Sequence, residues 1–368
     1  MDSPRGSPIP GEVRDMAELE RLRREIDEVD EELFRLFFRR FQLVEEIGKI
    51  KKQNGLTLTD ERRESEVRDR WRSLAKKYGI PEVLADNLLN TLFSVSKMRE
   101  LNPSSKRRIT LVGYGGMARS LASLFRLVRH EVVVTGRNDS KAKSLAQEFN
   151  LAHMPMSQAF QWGELIILAL PPEGVKSDSL ERTLPLAKGR VVMDILSSKA
   201  SLFAGLEELS ARHGFRYVSI HPLFGPYLYP VGERIAIIPS STSGDVEEVV
   251  TFWRESGLVP VLTSLDEHEK AMALVQVLPH FFLMGLNAGL DSVAKELNVD
   301  YSRFHTTNFR ELHKILKRIK DLEGVIMEIQ SYNPYAGEAR RIGVRELYNL
   351  FSRLEGDKND SVRLEDRK

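Results

Sequence analysis

The sequence predicts a multidomain chain with an all-α module, then an α/β domain with a parallel sheet, then an all-α C-terminal domain. Apolar residues recur at helical spacing over the first hundred residues, short apolar runs alternate with helical patterns after residue 108, and helical spacing returns after residue 265. The predicted segments are a disordered tail (1–15), a helical domain (16–102), a linker (103–107), an α/β domain (108–265), a helical domain (266–356) and a charged tail (357–368).

The composition favours a cytoplasmic protein that acts on small molecules. The 368 residues carry a formal net charge of +1, so we expect binding neither to nucleic acid nor to a membrane surface. Cysteine is absent, which excludes disulfides and cysteine-ligated metal sites, and no metal is predicted. The first fifteen residues lack the apolar run of a secretory signal. We expect a buried helix, not a membrane span, at 273–290, because this stretch contains Gln276, Pro279, His280 and Asn287.

Arg40 is the exception in the apolar stripe of the first helix, which is predicted over about residues 16–52 from aliphatic residues at steps of three and four. A buried cation needs an anion, so a structural ion pair with Asp60 or Glu64 is one interpretation. Lys51 lies about three turns further on and projects from the same face. Two further helices are predicted, at 60–79 and 81–102.

This module carries three motifs, LRxxID from Leu22, RxxLVxxIGxIK from Arg40 and DxxRE from Asp60. With these motifs, residues 22–100 resemble the helical chorismate mutase family. The resemblance implies a site that rearranges chorismate to prephenate. The residues implied to line it are Arg23, Arg40, Lys51, Asp60, Arg63, Glu64, Ser96 and Glu100.

These residue types suit a pericyclic reaction, which needs a folded dianion and stabilisation of charge on its ether oxygen, but no nucleophile. The predicted catalytic residues are Arg40 for a carboxylate, Lys51 for the ether oxygen, and Glu100. Glu100 replaces the glutamine of many relatives and must be protonated to donate a hydrogen bond. Arg23 lies about 25 Å from Arg40 along the helix, so one helix cannot bring both to one ligand. The family completes the site with a partner chain, and we predict a homodimer.

A glycine-rich turn follows the predicted strand 109–112 and opens a helix that ends near Val128. Gly113 permits the tight turn, Gly115 lets a pyrophosphate approach the backbone, and Ala118 allows close helix packing. Further strands are predicted at 131–135, 165–170, 190–195 and 216–220, which indicates a Rossmann domain. The predicted cofactor-binding residues are Gly113, Tyr114, Gly115, Gly116, Met117, Ala118 and Arg137.

Arg137 determines the predicted cofactor. A site for NAD places an acidic residue at the end of the second strand, where this chain has Thr135-Gly136-Arg137-Asn138. Because an arginine can pair with a 2′-phosphate, NADP is favoured over NAD. The alternative is a solvent-facing arginine without this role.

His221 ends the strand 216–220 within the sequence SIHPLFGP. Two prolines and a glycine stiffen this loop, which can therefore hold one imidazole in one orientation. The carboxyl end of such a strand is also where α/β enzymes bind ligands. A lone histidine is more often structural, so other motifs are needed to choose between the two roles.

Those motifs are DILSSK at 194–199 and EHEKAMALVQVLPHF at 267–281. With HPLFGP, they make residues 108–355 resemble the prephenate dehydrogenase family. The resemblance implies that His221 takes the proton of the substrate hydroxyl as hydride leaves for the nicotinamide. Ser197 would orient the hydroxyl or His221, and the helical C-terminal domain would form the dimer and close the pocket.

Further residues of the second site are implied by the same resemblance. Arg318 would hold a substrate carboxylate, and Arg310, two turns earlier, could support it. Gln276 and His280 face one side at i and i+4 and would line the pocket, although core residues bonded to backbone are an equal alternative. His268 could be structural or catalytic.

Three alternatives stay open for the second domain. It could oxidise arogenate, which carries an amino group in place of the keto group, and an acidic pocket residue would favour that substrate. It could be a non-catalytic sensor, but the joint presence of Ser197, His221 and Arg318 argues against this. A hydroxy-acid dehydrogenase with a catalytic lysine would leave the first module unexplained.

Overall fold

A computed structural model of the protein describes residues 10–54, 61–100, 105–199 and 202–365. The chain divides into two compact units, residues 1–104 and 105–368. The first unit is built from helices α1 (Pro10–Gln53), α2 (Glu61–Tyr78) and α3 (Glu82–Glu100). The predicted all-α module is therefore confirmed.

The two ends of the chain differ from the prediction. Helix α1 begins at Pro10, so the expected disordered tail is wrong for residues 10–15, and residues 1–9 lie outside the described residues. Proline is tolerated in a first helical turn because its missing N–H needs no partner there. The last helix likewise continues to Glu365 through the predicted charged tail. No glycine or proline follows Gly356 to stop it.

The apolar stripe of α1 remains exposed within one chain. Helix α3 supplies buried residues to the first unit, among them Leu89, which is fully buried. Along α1, by contrast, five apolar side chains are 44–62% exposed, namely Leu22, Ile26, Val29, Leu33 and Leu36. An apolar stripe of this length on one helix face is typical of a surface that packs against another chain.

The second unit contains a sheet of eight strands within the described residues, in the order β3-β2-β1-β4-β5-β6-β7-β8. The strands are β1 (Arg108–Val112), β2 (Glu131–Thr135), β3 (Ala152–His153), β4 (Leu165–Leu168), β5 (Val191–Asp194), β6 (Arg216–Pro222), β7 (Arg234–Pro239) and β8 (Val259–Leu262). Strands β1 to β6 are parallel, β7 is antiparallel to β6, and β8 is parallel to β7. The predicted Rossmann domain is confirmed, whereas β7 and β8 were not predicted.

Helices cover both faces of this sheet, which explains why β4 and β5 are apolar and buried along most of their length. The helices are α4 (Gly116–Val128), α5 (Asp139–Glu148), α6 (Met156–Trp162), α7 (Pro172–Val175), α8 (Asp178–Thr183), α9 (Phe203–His213) and α10 (Val246–Glu255). The carboxyl ends of β1, β4, β5 and β6 lie at one edge because these strands are parallel. Strand β6 runs two residues further than predicted and includes His221.

The C-terminal domain is all helical, as predicted. Its helices are α11 (Leu265–Met272), α12 (Leu278–Glu296), α13 (Thr307–Asp321), α14 (Glu323–Tyr332) and α15 (Ala336–Glu365). Helix α14 was not predicted as a separate element.

A π-helical turn, Ala273–Val277, joins α11 to α12. The N–H of Leu278 bonds to the carbonyl of Ala273, five residues earlier. Pro279 follows at once, and since it has no N–H it cannot continue a regular ladder. The carbonyl of Val277 instead accepts a 2.7 Å hydrogen bond from the buried Gln330 side chain on α14.

The continuous helix from Leu265 to Glu296 is long and apolar enough to cross a membrane, and only 17% of its most apolar window is buried. The expectation of a buried helix is therefore not met within one chain. A single helix of this kind does not distinguish a membrane span from a helix that packs against a protein surface.

Removing the amide of Gln330 should destabilise the second unit. In Gln330→Leu the carbonyl of Val277 loses its donor, and a buried unpaired polar group costs about 1–3 kcal/mol of unfolding free energy. Chemical denaturation measures this loss, and the neighbouring exposed variant Ser331→Ala should change stability by less than about 0.5 kcal/mol. Equal stability of the two variants would contradict the role of Gln330.

Candidate functional sites

The first site brings together predicted residues from three helices. The Arg40 guanidinium on α1 donates a 2.6 Å hydrogen bond to the hydroxyl of Ser96 on α3, and Ser96 is 6% exposed. The next residue, Lys97, pairs with Glu64 on α2 at 2.9 Å. Glu64 or Asp60 was the predicted partner of Arg40; Asp60 lies outside the described residues, and Lys97 was not predicted. The sequence shows Lys97 directly after Ser96, but the direction of the Lys97 side chain depends on how α3 packs against α2.

Two of the other predicted residues make ion pairs along their own helices. Arg23 is exposed and pairs with Glu20 at 2.6 Å, and Arg63 is exposed and pairs with Glu66 at 3.1 Å. Lys51 is half-buried on α1. Asp60 lies outside the described residues, as does the side chain of Glu100 at the end of α3. The described part of one chain thus provides Arg40, Ser96 and Glu64.

The glycine turn after β1 has the backbone geometry that a dinucleotide needs. Gly113 has φ +132°, and a Cβ there would lie 2.2 Å from the carbonyl oxygen of Ala169. At Gly115 no described atom lies within 4 Å of a Cβ position, so the backbone faces open space at the start of α4. A helix N-terminus with an approachable backbone is the usual site for a pyrophosphate. The residues present therefore fit a dinucleotide.

The remaining predicted cofactor residues surround this turn. Ala118 is buried against the sheet, while Met117 and Tyr114 are half-buried. Arg137 is exposed in the turn between β2 and α5. Lys141, which was not predicted, lies with its ammonium 5.8 Å from the ring centre of Tyr114. Two cations thus occur in the segment after β2, where no carboxylate ends the strand.

The loop after His221 packs directly on α4, the helix that follows the glycine turn. A Cβ on Gly116 would lie 2.8 Å from Pro226, so the two loops touch where Gly116 has no side chain. Further along, Ser120 donates to the carbonyl of Tyr227, and Ser123 accepts a 2.9 Å hydrogen bond from the N–H of Tyr229. The HPLFGP segment therefore places His221 and the glycine turn at one edge of the sheet.

His221 is buried and paired with a second histidine. Its side chain is 2% exposed, and its Nδ1 lies 3.0 Å from Nε2 of His268 on α11. Burial lowers the pKa of His221 well below its usual value, and the positive charge of Lys199 lowers it further. The imidazole is therefore neutral near pH 7, as a proton acceptor must be.

A buried carboxylate, Asp194, organises the strand ends beside His221. It accepts hydrogen bonds from the hydroxyls of Tyr217 (2.7 Å) and Ser219 (2.5 Å) on β6 and from the N–H of Leu196 (2.9 Å). The fourth donor is the ammonium of Lys199, at 2.8 Å. The same ammonium donates to the carbonyl of Ile220 at 2.6 Å, and so anchors the residue immediately before His221.

Lys199 is the last residue of the DILSSK motif, but it was not predicted as a functional residue. Lys199 is 1% exposed, and burial lowers the pKa of its ammonium, which the charge of Asp194 partly offsets. Ser197, two residues earlier, is half-buried, and no described hydrogen bond joins it to His221. The hydroxyl of Ser198 is buried and has no partner among the described residues.

Gln276 and His280 each keep a buried polar atom, Oε1 and Nδ1 respectively, without a hydrogen-bond partner among the described residues. Burial lowers the pKa of His280. Gln276 lies within the π-helical turn and His280 lies beyond it on α12, so the spacing of a regular helix expected for them does not apply. Unpartnered atoms of this kind fit residues that meet a ligand better than core residues bonded to backbone.

The predicted arginines are not placed at the pair of His221 and His268. Arg310 and Arg318 lie on exposed positions of α13, and in the described part of the chain no hydrogen bond or ion pair joins either one to His221. Their spacing of two turns does place both on one helix, as expected.

Two family models match the chain, one in each of its two units. The model of chorismate mutase type II matches residues 22–101, and that of an F420-dependent NADP oxidoreductase matches residues 108–198. A chorismate mutase of Methanocaldococcus jannaschii is 30% identical over 79 residues, which span 22% of this chain and 80% of that protein.

Two further relatives match over longer stretches of the chain. The T-protein of Haemophilus influenzae is 25% identical over 287 residues, covering 74% of this chain and 71% of that protein. A probable arogenate/prephenate dehydrogenase of M. jannaschii is 28% identical over 229 residues, or 61% of this chain. The chain spans about half the length of that relative (48%).

Two solved structures share the fold of the second unit. A prephenate dehydrogenase from A. aeolicus, in complex with hydroxyphenyl propionate and NAD+, has a TM-score of 0.54 at 17% identity, covering 72% of this chain and 99% of that one. An arogenate dehydrogenase from Synechocystis has a TM-score of 0.53 at 18% identity, covering 68% and 93%.

Two glycine variants should separate folding from cofactor binding. Gly113→Ala forces a Cβ against Ala169 at a positive φ, and should lower the unfolding free energy by about 1–3 kcal/mol. Gly115→Ala meets no described atom, so it should leave stability unchanged and weaken dinucleotide binding at least about tenfold. Denaturation curves and cofactor titration measure the two effects. Equal effects of both variants on stability would refute the assignment.

Proposed function

Because this chain belongs to the type II chorismate mutase family and continues into a prephenate dehydrogenase-like module, we propose that it catalyses two successive reactions. The first unit would rearrange chorismate to prephenate, and the second would oxidise and decarboxylate prephenate to 4-hydroxyphenylpyruvate. The observation that carries the proposal is the buried neutral His221 at the sheet edge beside the glycine turn. The helical module that precedes it in the sequence supplies Arg40, Ser96 and Glu64. T-protein relatives over three quarters of the chain support the pairing.

In the first site the chain has to bind a dianion in its compact conformer. Arg40, oriented by Ser96, can hold one carboxylate with paired hydrogen bonds. Glu64, held by Lys97, can accept a hydrogen bond from a substrate hydroxyl. Lys51 lies on the same helix as Arg40 and can stabilise negative charge on the ether oxygen.

In the second site His221 performs the proton chemistry. A bound nicotinamide would supply the hydride acceptor for the ring carbon that bears the hydroxyl. The neutral imidazole of His221 takes the hydroxyl proton as the ring carboxylate leaves as carbon dioxide and its bonding electrons complete the aromatic ring, and the proton then returns to the phenolate oxygen. Ser197, Gln276, His280 and Arg318 are proposed to orient the substrate. The π-helical turn and the HPLFGP loop keep their elements in place around it.

Prephenate is proposed over arogenate on the charges of the described groups. The unpartnered polar groups, Gln276 and His280, are neutral. The buried acids Asp194 and Glu269 already accept several hydrogen bonds each, so neither is available to pair with a substrate ammonium. Arogenate is the second candidate, since one relative carries both substrate names.

We also propose NADP as the preferred cofactor, with NAD as the alternative. Arg137 and Lys141 are both near the end of β2, where a 2′-phosphate would lie. A homodimer is proposed because Arg23 lies far along α1 from Arg40 and because the apolar stripe of α1 is exposed. The cytoplasm is proposed as its compartment because a chain without cysteine fits a reducing environment.

Replacing His221 should separate the two reactions. In His221→Asn the base is absent, so reduction of the cofactor should fall by at least about 10³-fold, in the range of general-base catalysis. Formation of prephenate from chorismate should stay within about twofold of the parent. Parallel assays supply chorismate with NADP or NAD, and follow reduced cofactor and 4-hydroxyphenylpyruvate. A parent protein that yields no aromatic keto acid would disprove the proposed function.

Arg137→Ser should move the cofactor preference toward NAD. Losing a charge-assisted contact to the 2′-phosphate should lower the ratio of kcat/KM with NADP to that with NAD about tenfold. Lys143→Ala, an exposed lysine of α5, is the matched control and should leave the ratio unchanged. A parent that strongly prefers NAD would contradict the assignment.

A further inference from the structure

The pair His221–His268 poses a question that the proposed reaction leaves open, namely which nitrogen of each ring carries the proton. Nδ1 of His221 and Nε2 of His268 are 3.0 Å apart, and both side chains are 2% exposed. Two imidazole nitrogens at this distance share one proton, so that one nitrogen donates and the other accepts. If His268 donated, Nδ1 of His221 would be bare and its proton would sit on Nε2. His221 could then not accept a proton there.

The surroundings of His268 favour the opposite arrangement. Its Nδ1 has no hydrogen-bond partner among the described residues and lies 3.6 Å from Oε1 of Glu269. A bare nitrogen facing a carboxylate oxygen would be repelled, whereas an N–H there is attracted. The proton of His268 therefore belongs on Nδ1. Its Nε2 is then bare and accepts from Nδ1–H of His221.

Glu269 is held firmly in that position. It is 2% exposed, and Oε1 accepts a 2.6 Å hydrogen bond from the N–H of Lys199. Oε2 accepts a 2.9 Å hydrogen bond from the side-chain amide of Asn333, which also donates to the backbone carbonyl of Glu269 at 2.8 Å. Both donors bind lone pairs of the carboxyl group, which fixes its orientation toward the ring of His268.

We propose that His268 and Glu269 are positioning residues that keep His221 in the tautomer with a bare Nε2. The inference rests on the proposed dehydrogenase function. The substrate hydroxyl proton moves to Nε2 of His221, hydride moves to the nicotinamide, and the imidazolium keeps its Nδ1–H bond to His268. The charge of Glu269 lies one ring away and stabilises the imidazolium. A histidine and a glutamate thus fill the place of the carboxylate that orients the base in hydrolase triads.

Nitrogen NMR of histidine-labelled protein tests the tautomer without any substrate. Of the eight histidines, His221 is assigned by the signal lost in His221→Asn. The parent should show hydrogen on Nδ1 of His221 and none on Nε2, and Glu269→Gln should increase the form with hydrogen on Nε2. A parent spectrum with hydrogen on Nε2 of His221 would overturn the proposal.

Activity provides an independent measurement. His268→Leu removes the acceptor and should lower kcat of cofactor reduction about 100-fold, with KM for the cofactor unchanged. His268→Gln retains an acceptor oxygen and should recover kcat to within about tenfold of the parent. His213→Gln, at the end of α9, is the histidine control. Equal kcat in the leucine and glutamine variants would count against tautomer control.

The outcomes separate this proposal from the proposed function. A parent with the expected tautomer that fails to oxidise prephenate would contradict the function and leave the histidine arrangement intact. A parent that oxidises prephenate but carries hydrogen on Nε2 of His221 would contradict the histidine arrangement and leave the proposed function intact. If His268→Leu does not fold, judged by thermal unfolding, the parent spectrum and the glutamine variant still decide.

Discussion

The ion pair between Asp194 and Lys199 is the interaction on which the second site depends. Both side chains are at most 1% exposed, so their charges are tolerated only because hydrogen bonds replace the lost water. Asp194 accepts from both β6 and its own loop, and Lys199 donates to the carbonyl just before His221. Removing either partner would leave an uncompensated buried charge. The position of the base is therefore tied to the stability of the sheet.

The same lysine connects the α/β sheet to the C-terminal helices. Its backbone N–H binds Glu269 on α11, and Glu269 in turn binds Asn333 just beyond α14. His268 is the neighbour of Glu269, so the helix that carries this carboxylate also carries the partner of His221. Three separated segments of sequence thus converge on one imidazole. Its low pKa follows from that convergence, because the packing that excludes water also brings the Lys199 charge close.

Local features of both sites were predictable from the sequence, and contacts between distant segments were not. The glycine turn and His221 could be identified because each depends on a short motif at the end of a strand. The pairing of His221 with His268 spans 47 residues, and neither histidine alone indicates it. The hydrogen bond from Arg40 to Ser96 spans 56 residues, and its geometry depends on the rotation of α3. The π-helical turn likewise needs Gln330 from α14, whose side-chain amide donates to the free carbonyl of Val277.

The two sites therefore differ in what one chain provides. The histidine pair, its carboxylate and the glycine turn are all assembled within residues 105–368. In the first unit, Arg23 is exposed on the same helix as Arg40 and far from it, and the apolar stripe of α1 is uncovered. In the proposed homodimer, the first site would gain its last cation and its hydrophobic stabilisation in the same association step, because burying that stripe would drive the pairing that delivers Arg23. Dissociation of that dimer would then affect binding of chorismate before it affected the geometry of the buried base.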